Sequence, residues 1–368
     1  SIDTETDSIK ANNASLVGIS LAWQEGFACY IPLLNAKNIS MNSLLNKEKV
    51  AFILNPLLKD SSIIKIGQNL KYDKIVLQLN GFSAITTIED TMLISYTLFS
   101  GLHNHNLDLL CSIYLNFEKT KYKDLVGSGK KEIPFSEVSV EKATSYSCED
   151  ADYTLRLWKS LKKLLIKNKL MSVYQNIEKP LVKVIADMEI KGIKVDKNSL
   201  LKLSEEFKSD ILKLQKKIFY FSGEEFNINS TKQLGSILFE SLDLPHKKKN
   251  KSGGFSTNSE VLELLKEEGF EIAELILKWR EINKLKNTYT DSLVLNINEK
   301  TKRIHTTFQM TGAQTGRLSS TDPNLQNIPI KTENGKKIRK AFVAEEGCKL
   351  LCFDYSQIEL RLLSQIAN

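Results

Sequence analysis

Hydrophobic residues near the start of the chain recur in short runs that are typical of β-strands. The runs 16–23 and 27–32 are rich in β-favouring residues, and a Gln-Glu-Gly turn separates them, which predicts a hairpin. Helical periodicity over about residues 42–58 leads to the apolar segment 63–66, which predicts a buried strand. A hairpin followed by a helical crossover to a further strand predicts a mixed sheet with helices on its faces.

Helical periodicity dominates the middle of the chain. It predicts helices over about residues 140–166, 174–189 and 198–221. Short β-rich segments return at 303–310 and 349–354. We therefore expect an α/β fold class overall, in three parts: an α/β domain over 1–170, a mostly helical part over 171–300, and the beginning of an α+β part over 301–368.

Composition places the chain among soluble globular proteins. It is 42% hydrophobic and 26% charged, and no run approaches the length of a membrane-spanning segment. The five cysteines lack the spacing of zinc sites, and only four histidines could complete such a site. A net charge of +7 suits a polyanionic partner. We expect a monomeric cytoplasmic protein that does not bind membranes.

Four carboxylates stand out by their positions. Asp3 and Glu5 alternate on the first predicted strand and therefore share one of its faces. Asn69 and Asp73, four residues apart, share one face of a predicted helix, and so do Tyr146 and Asp150 further on. Each acidic residue alone reads as a surface charge, but carboxylates brought side by side favour a hard divalent ion such as Mg²⁺.

A set of four carboxylates suits two-metal hydrolysis of a phosphodiester, in which Mg²⁺, or alternatively Mn²⁺, activates water and stabilises the leaving oxygen. The segments Asp-Thr-Glu-Thr, Gly-Gln-Asn-Leu-Lys-Tyr-Asp and Tyr-Ser-Cys-Glu-Asp-Ala-Asp resemble the three exonuclease motifs of family A DNA polymerases, the bacterial DNA polymerase I-like family. The resemblance implies a ribonuclease-H-like fold with two metal ions. It places Asp3, Glu5, Asp73 and Asp150 on the metals, Tyr146 on the water, and Asn69 beside the DNA.

Residues 171–300 resemble the family's thumb in pattern and order, and they include a basic loop between helices. As a bare run of lysines it reads as a solvated loop, whereas beside a nuclease it reads as a contact to the phosphate backbone. The residues expected to touch DNA there are Lys247, Lys248, Lys249 and Lys251.

Two motifs near the end of the chain extend the resemblance. A Thr-Gly-Arg-Leu-Ser-Ser run and a Pro-Asn-Leu-Gln-Asn run match a DNA-contacting loop of the family and imply DNA contacts by Arg317, Asn324, Gln326 and Asn327. The later Asp-Tyr-Ser-Gln-Ile-Glu run resembles the motif that ends the first palm strand. It implies metal binding by Asp354 with Tyr355, and nucleotide binding by Tyr355, Ser356, Gln357 and Glu359.

The resemblance predicts DNA-directed DNA synthesis with 3′→5′ proofreading by the parent protein. Its partners would be primer-template DNA, single-stranded 3′ ends and deoxynucleoside triphosphates. The sequence looks cut at both ends, with the fingers and the second palm carboxylate missing, so we expect only exonuclease activity and primer-template binding from these residues. Two alternatives stay open: a non-catalytic DNA-binding fragment, and an exonuclease that acts on RNA.

Overall fold

The computed structural model describes residues 1–33, 45–246, 248–249 and 253–367. The chain packs as two compact units, one formed by Ser1–Gly192 with His305–Gln326, and the other by Ile193–Ile304 with Asn327–Asn368. The predicted domain boundaries at residues 170 and 300 remain a proposal, because compact packing and domain limits need not coincide.

The strands of the described residues are short and lie mostly in the first third of the chain. In chain order they are β1 (Ile2–Thr6), β2 (Leu16–Gln24), β3 (Phe27–Pro32), β4 (Lys65–Gly67), β5 (Ile88–Asp90), β6 (Ile193–Lys194), β7 (Arg303–Ile304), β8 (Thr307–Gln309) and β9 (Ser319–Thr321).

Helices make up most of the remaining regular structure. They are α1 (Lys47–Lys59), α2 (Leu70–Leu79), α3 (Thr91–Phe99), α4 (Leu107–Leu115), α5 (Tyr122–Val126), α6 (Val140–Lys167), α7 (Met171–Val173), α8 (Lys179–Lys191), α9 (Lys197–Ser222), α10 (Thr231–Ser236), α11 (Ser259–Glu267), α12 (Glu271–Leu285), α13 (Ser292–Leu295), α14 (Glu333–Lys340) and α15 (Ile358–Ala367). None of the helices in the described ranges is both long and apolar enough to cross a membrane.

The predicted hairpin is confirmed, and it forms two strands of the three-stranded sheet in the first unit. β2 pairs antiparallel with β1 on one side and with β3 on the other, while β4 and β5 form a separate parallel pair. The structure is thus a helix-rich mixed α/β fold. α6 packs across β2 and β3 and also contacts β1, the strand that carries Asp3 and Glu5.

One glycine of β2 lets the hairpin close. A Cβ atom on Gly18 would overlap the hydroxyl group and ring of Tyr30. Gly18 pairs with Glu5 in the strand register, so the Tyr30 ring crosses the sheet beside the carboxylate that β1 carries. Only glycine leaves room for that crossing.

The second unit has its own helical core. The predicted helix over 198–221 is confirmed as α9, which begins after the cap residue Asp196 and ends at Gly223, whose φ of 75° suits glycine. α9 packs against α12, and buried side chains from four helical segments and their connections close this core, among them Ile218, Leu238, Phe239, Leu262, Ile276 and Trp279.

The structure corrects several predicted elements. The strand predicted at 63–66 begins at Lys65, because Ile63 and Ile64 are exposed. The strand predicted over 303–310 is divided into β7 and β8. The helix predicted from about residue 42 is described only from Lys47, and residues 34–44 lie outside the described residues.

The strand predicted at 349–354 is absent, and this prediction is wrong for the described chain. These residues are exposed, with Leu351 at 77% and Phe353 at 89%. A β-strand is stabilised by hydrogen bonds to a neighbouring strand, and no described segment pairs with this one. Its apolar pattern therefore has no sheet on which to pack.

Candidate active site

Strand β1 carries the first two carboxylates of the predicted site. Asp3 and Glu5 lie opposite Ser20 and Gly18 of β2. The Ser147 hydroxyl of α6 donates a hydrogen bond of 2.7 Å to Glu5 Oε1, which fixes one oxygen of that carboxylate. Thr4, between the two, donates to Asp73 from both its backbone nitrogen (2.9 Å) and its hydroxyl (2.6 Å). β1 therefore contributes two carboxylates and positions a third.

Asp73 lies in the first turn of α2, and the start of that helix is shaped by its neighbours. The helix begins at Leu70, so Asn69 precedes it in a left-handed conformation (φ 61°) and does not share a helix face with Asp73. Gly67 has no such backbone requirement; a Cβ there would lie 2.5 Å from Leu70 Cδ1. The glycine is thus needed for close packing.

Asp90 caps two helices. Its carboxylate accepts hydrogen bonds from the backbone nitrogens of Met92 (2.9 Å) and Leu93 (3.3 Å) at the start of α3. It also accepts from the nitrogens of Asn69 (3.2 Å) and Leu70 (2.8 Å) at the start of α2. One buried side chain therefore holds the helix that carries Asp73.

Helix α6 supplies Tyr146 and Asp150 one turn apart on its buried face, as predicted. The nearby acidic residues have other partners: Glu149 accepts from the backbone nitrogen of Thr120, and Asp152 pairs with Arg156 at 2.6 Å. Carboxylates from β1, α2 and α6 are thus brought together, and they interact electrostatically with one another.

Burial raises the pKa of every carboxylate in this cluster. Loss of hydration raises the pKa of Glu5 to about 7 and that of Asp73 to about 7. The pKa of Asp3 rises well above its ordinary value, first through burial and then through repulsion from Asp73, Glu5 and Asp150. Burial also raises the pKa of Tyr146, so its phenol stays protonated.

Sequence reasoning missed one cation at this site. Lys119, in the loop between α4 and α5, is buried, and its ammonium lies 2.7 Å from Asp150 Oδ1 and 3.3 Å from Asp108 Oδ1. Burial lowers the pKa of Lys119, but the two carboxylates outweigh that effect and raise it above its ordinary value. Its attraction also limits the rise in the pKa of Asp150, which burial takes to about 6. No sequence pattern marks this lysine.

The cluster has the donor chemistry of a divalent-cation site. Its oxygens are carboxylate oxygens, the ligands that Mg²⁺ and Mn²⁺ prefer, and a cation would relieve their repulsion. Among the described residues Asp150 Oδ1 is buried without a hydrogen bond of good geometry, although Lys119 forms an ion pair with it. Within the same residues, no three acidic, histidine or cysteine side chains converge closely enough to ligate one ion. Several of the carboxylate oxygens are instead held by protein donors.

A cavity of about 630 Å³ adjoins the carboxylates. Glu5 and Asn69 line it together with Tyr72 and Tyr122, and the exposed side chain of Ile9 lies at its rim. Polar and aromatic side chains beside a carboxylate cluster suit an unpaired nucleotide, whose base presents an apolar face. The sequence signal for Ile9, Tyr72 and Tyr122 was weak, because single aromatic or aliphatic residues are usually core residues.

The basic loop is described only in part. Lys247 and Lys251 lie outside the described residues. Lys248 forms an ion pair with Glu260 at 3.3 Å, and Lys249 pairs with Phe255 in an isolated β-bridge. Lys249 also lines a cavity of about 850 Å³ next to α10. Lys232, Gly253 and Gly254 also line this cavity.

The loop with the predicted DNA contacts is held by its own hydrogen bonds. Arg317 and Asn324 are exposed. The Gln326 amide donates to the Leu318 carbonyl (2.9 Å) and accepts from the Ser320 nitrogen (3.2 Å), so its side chain stabilises the loop. Asn327 belongs to the second unit, where its carbonyl accepts a hydrogen bond from Tyr289.

The predicted polymerase residues lie in the second unit, near the start of α15. Asp354, Tyr355, Ser356, Gln357 and Glu359 are all exposed, and Gln357 is in the left-handed region with φ 52°. The Arg361 side chain donates to the Ser356 carbonyl at 3.0 Å, which closes the turn before the helix.

Comparison with known proteins finds two families that match successive parts of the chain. A family model described as 3′-5′ exonuclease matches residues 1–166, and the model of DNA polymerase family A matches residues 197–368. Residues 197–368 of the chain are thus similar to DNA polymerase family A.

Its relatives include bacterial DNA polymerases I. All of the chain aligns with the enzyme of Rhizobium leguminosarum at 43% identity and with that of Pseudomonas aeruginosa at 44%, covering 38% and 40% of those proteins. The chain thus spans about two fifths of their length. A solved structure of the POL domain of Pol1 from M. smegmatis, in complex with DNA primer-template and dNTP, matches 99% of the chain and 58% of its own. It has a TM-score of 0.79 and 30% identity.

Proposed function

We propose that this chain is part of a DNA polymerase I-like enzyme and that its first unit removes nucleotides from the 3′ end of DNA. The observation that carries the proposal is the cluster of Asp3, Glu5, Asp73 and Asp150, brought together from three elements. The match of residues 1–166 to a 3′-5′ exonuclease model supports it. We further propose a ribonuclease-H-like arrangement for this unit, and a thumb over 171–300 with the beginning of a palm over 301–368.

Each side chain has a defined part in this proposal. Asp3, Glu5, Asp73 and Asp150 would hold divalent cations, with Mg²⁺ or Mn²⁺ as the candidates. When bound, two such ions would activate an attacking water and stabilise the leaving oxygen of the phosphodiester. The Tyr146 phenol stays protonated and would orient the water by a hydrogen bond. Thr4 and Ser147 hold Asp73 and Glu5 in place.

The substrate strand would lie in the cavity beside the carboxylates. Asn69 and Tyr72 offer polar contacts there, and Ile9 and Tyr122 offer apolar surface for an unpaired base. We propose single-stranded 3′ ends and primer-template DNA as partners, with deoxynucleoside triphosphates as substrates of the complete enzyme. The similarity to the M. smegmatis POL domain, which was solved with primer-template and dNTP, supports these partners. We propose a monomeric cytoplasmic enzyme.

The test is a degradation assay with 5′-labelled single-stranded DNA and, in a parallel arm, RNA of the same sequence. With Mg²⁺ or Mn²⁺ the chain should shorten DNA from its 3′ end and release 5′-monophosphates. EDTA should abolish the reaction. Faster degradation of RNA would instead assign the site to RNA, and no degradation of either strand would leave a DNA-binding role only.

The matched pair of variants is Asp150→Asn and Asp152→Asn, two residues apart on α6. Asp150→Asn should reduce the rate by at least about 100-fold, because it removes a charged oxygen from the cluster. Asp152→Asn removes a carboxylate that pairs with Arg156 outside the cluster and should leave the rate nearly unchanged. Equal activity of the two variants would refute the assignment of the site.

A further inference from the structure

A buried lysine, Lys119, lies beside the carboxylate cluster that is proposed to bind metal ions. The Lys119 side chain is only 3% exposed. Its ammonium lies 2.7 Å from Asp150 Oδ1, 3.3 Å from Asp108 Oδ1 and 4.5 Å from the centre of the Tyr146 ring. Two of these three neighbours are assigned to the proposed reaction.

The loop that carries Lys119 is anchored on α6 on both sides of the lysine. The Phe117 ring packs on the Tyr153 ring with a centroid distance of 4.5 Å. The Thr120 backbone nitrogen donates to both carboxylate oxygens of Glu149, at 3.2 and 3.3 Å. Since Glu149 precedes Asp150, this anchor ties the position of the ammonium to the helix turn that carries the proposed metal ligand.

We propose that Lys119 is a positioning residue of the carboxylate site: its ammonium holds Asp150 and Tyr146 in place and competes with divalent cations for Asp150. A fixed positive charge beside a ligand opposes the approach of a second cation, while the ion pair keeps the carboxylate and phenol in place for the reaction. The charge thus lowers metal affinity and supports turnover. This inference rests on the proposed function in one respect, that the cluster binds divalent cations.

Asp108 affects how strongly Lys119 competes with divalent cations for Asp150. Its side chain is half exposed and shares the ammonium with Asp150, so it draws Lys119 partly away from the proposed metal ligand. Neutralising Asp108 should strengthen the pair between Lys119 and Asp150. The lysine and the aspartate are therefore expected to change metal affinity in opposite directions.

The experiment measures Mn²⁺ binding to the intact chain by electron paramagnetic resonance, which distinguishes free from bound ion, beside single-turnover degradation of single-stranded DNA. Lys119→Met keeps the apolar stem and removes the charge. It should tighten Mn²⁺ binding on the order of tenfold and slow single-turnover cleavage at saturating Mn²⁺ on the order of 100-fold. Lys119→Arg keeps the charge and should stay within about threefold of the unsubstituted chain in Mn²⁺ affinity.

Two further variants make the outcome unambiguous. Lys163→Met removes an exposed lysine from α6 about 20 Å along the helix from Asp150 and should change neither measurement. Asp108→Asn should weaken Mn²⁺ binding about two- to threefold, and it decides the question if Lys119→Met does not fold. Unchanged or weaker Mn²⁺ binding by Lys119→Met, or unchanged affinity of Asp108→Asn, would overturn the proposal. Failure of the unsubstituted chain to bind Mn²⁺ would refute the proposed function itself.

Discussion

At the scale of single residues, the carboxylate cluster links protonation to stability. The pKa of Glu5 is raised to about 7 in the folded chain, mainly by burial, while an unfolded chain has the ordinary value near 4.5. The folded state therefore binds more protons than the unfolded state between these two values. Stability must then fall as pH rises through this window, because ionisation of Glu5 costs more free energy in the folded chain.

The first prediction follows from this sign. In EDTA, Glu5→Gln should have a higher melting temperature than the unsubstituted chain at pH 8, by on the order of 5 °C, and nearly the same one at pH 4. Gln keeps an oxygen for the Ser147 hydrogen bond, so the difference reports the charge. Calorimetry across pH 4 to 8 measures it. A variant less stable than the unsubstituted chain at pH 8 would show that the raised pKa has been assigned wrongly.

Tyr146 gives a second prediction at this scale. Its phenol is assigned to the water, so Tyr146→Phe should slow DNA degradation by about 10- to 100-fold and leave the dependence on Mn²⁺ concentration unchanged. Tyr153→Phe, seven residues along the same helix, keeps the ring against Phe117 and serves as the control. A large shift of the Mn²⁺ optimum in Tyr146→Phe would make the phenol part of the metal site.

At the scale of elements, the site depends on how α2 begins. Asp90 satisfies backbone nitrogens of both α2 and α3, so its loss affects Asp73 through the helix that carries it. Asp90→Ala should lower the free energy of unfolding by about 2 kcal/mol or more and reduce the degradation rate at saturating Mn²⁺.

The control for Asp90 is a cap elsewhere in the chain. Asn258 accepts a hydrogen bond of 3.1 Å from the Val261 nitrogen at the start of α11, in the second unit. Asn258→Ala should cost about 1 kcal/mol of stability and spare the nuclease. Chemical denaturation and the DNA assay together measure both effects. Equal loss of nuclease activity in the two variants would mean that general destabilisation, rather than the start of α2, explains the effect.

The same scale shows why sequence patterns predicted some elements and missed others. The hairpin, α6 and α9 were predicted closely because hydrophobic periodicity and local turn or cap signals coincide in them. The segment 349–354 has the pattern of a strand but no neighbour in the described chain, and a strand depends on partners that periodicity does not reveal. A sequence pattern indicates a preference for one type of secondary structure, and tertiary packing determines whether that structure forms.

The proposed site was predictable to the extent that its residues lie on regular elements. Asp3 and Glu5 follow from strand alternation, and Tyr146 with Asp150 from helical spacing. Lys119 lies in a loop whose course is set by contacts with α6, and Asp90 reaches α2 across 20 residues of sequence. Neither contact has a local signature. The Lys119 ammonium and the Asp90 contact to α2, which help to position the site, emerge only from tertiary structure.

At the scale of the whole molecule, residues 305–326 belong to the same unit as the carboxylates. Tyr96 of α3 donates to the Ala313 carbonyl (2.6 Å) and accepts from the Gly316 nitrogen (3.0 Å). Glu189 of α8 binds Lys71 of α2 and accepts from the Phe308 nitrogen (2.7 Å). The loop that carries Arg317 therefore rests on the helices that support the proposed nuclease. The two regions of this unit that are predicted to contact DNA, at Asn69 and at Arg317, are therefore supported by the same group of helices.

The last prediction concerns DNA binding by the second unit. If the basic loop contacts the phosphate backbone, Lys248→Gln with Lys249→Gln should weaken binding of duplex DNA about equally for all sequences. It should flatten the plot of log affinity against log salt by up to about 0.9 per lost contact, and adding Lys247→Gln and Lys251→Gln should flatten it further. Fluorescence anisotropy at several salt concentrations measures the slope.

Lys163→Gln with Lys167→Gln, which removes the same charge from the end of α6, should leave the slope unchanged. Both Lys→Gln pairs lower the net charge of +7 by the same amount, so an equal change of slope in the two pairs would assign the effect to overall charge. An unchanged slope in the loop variants would show that these lysines do not contact DNA.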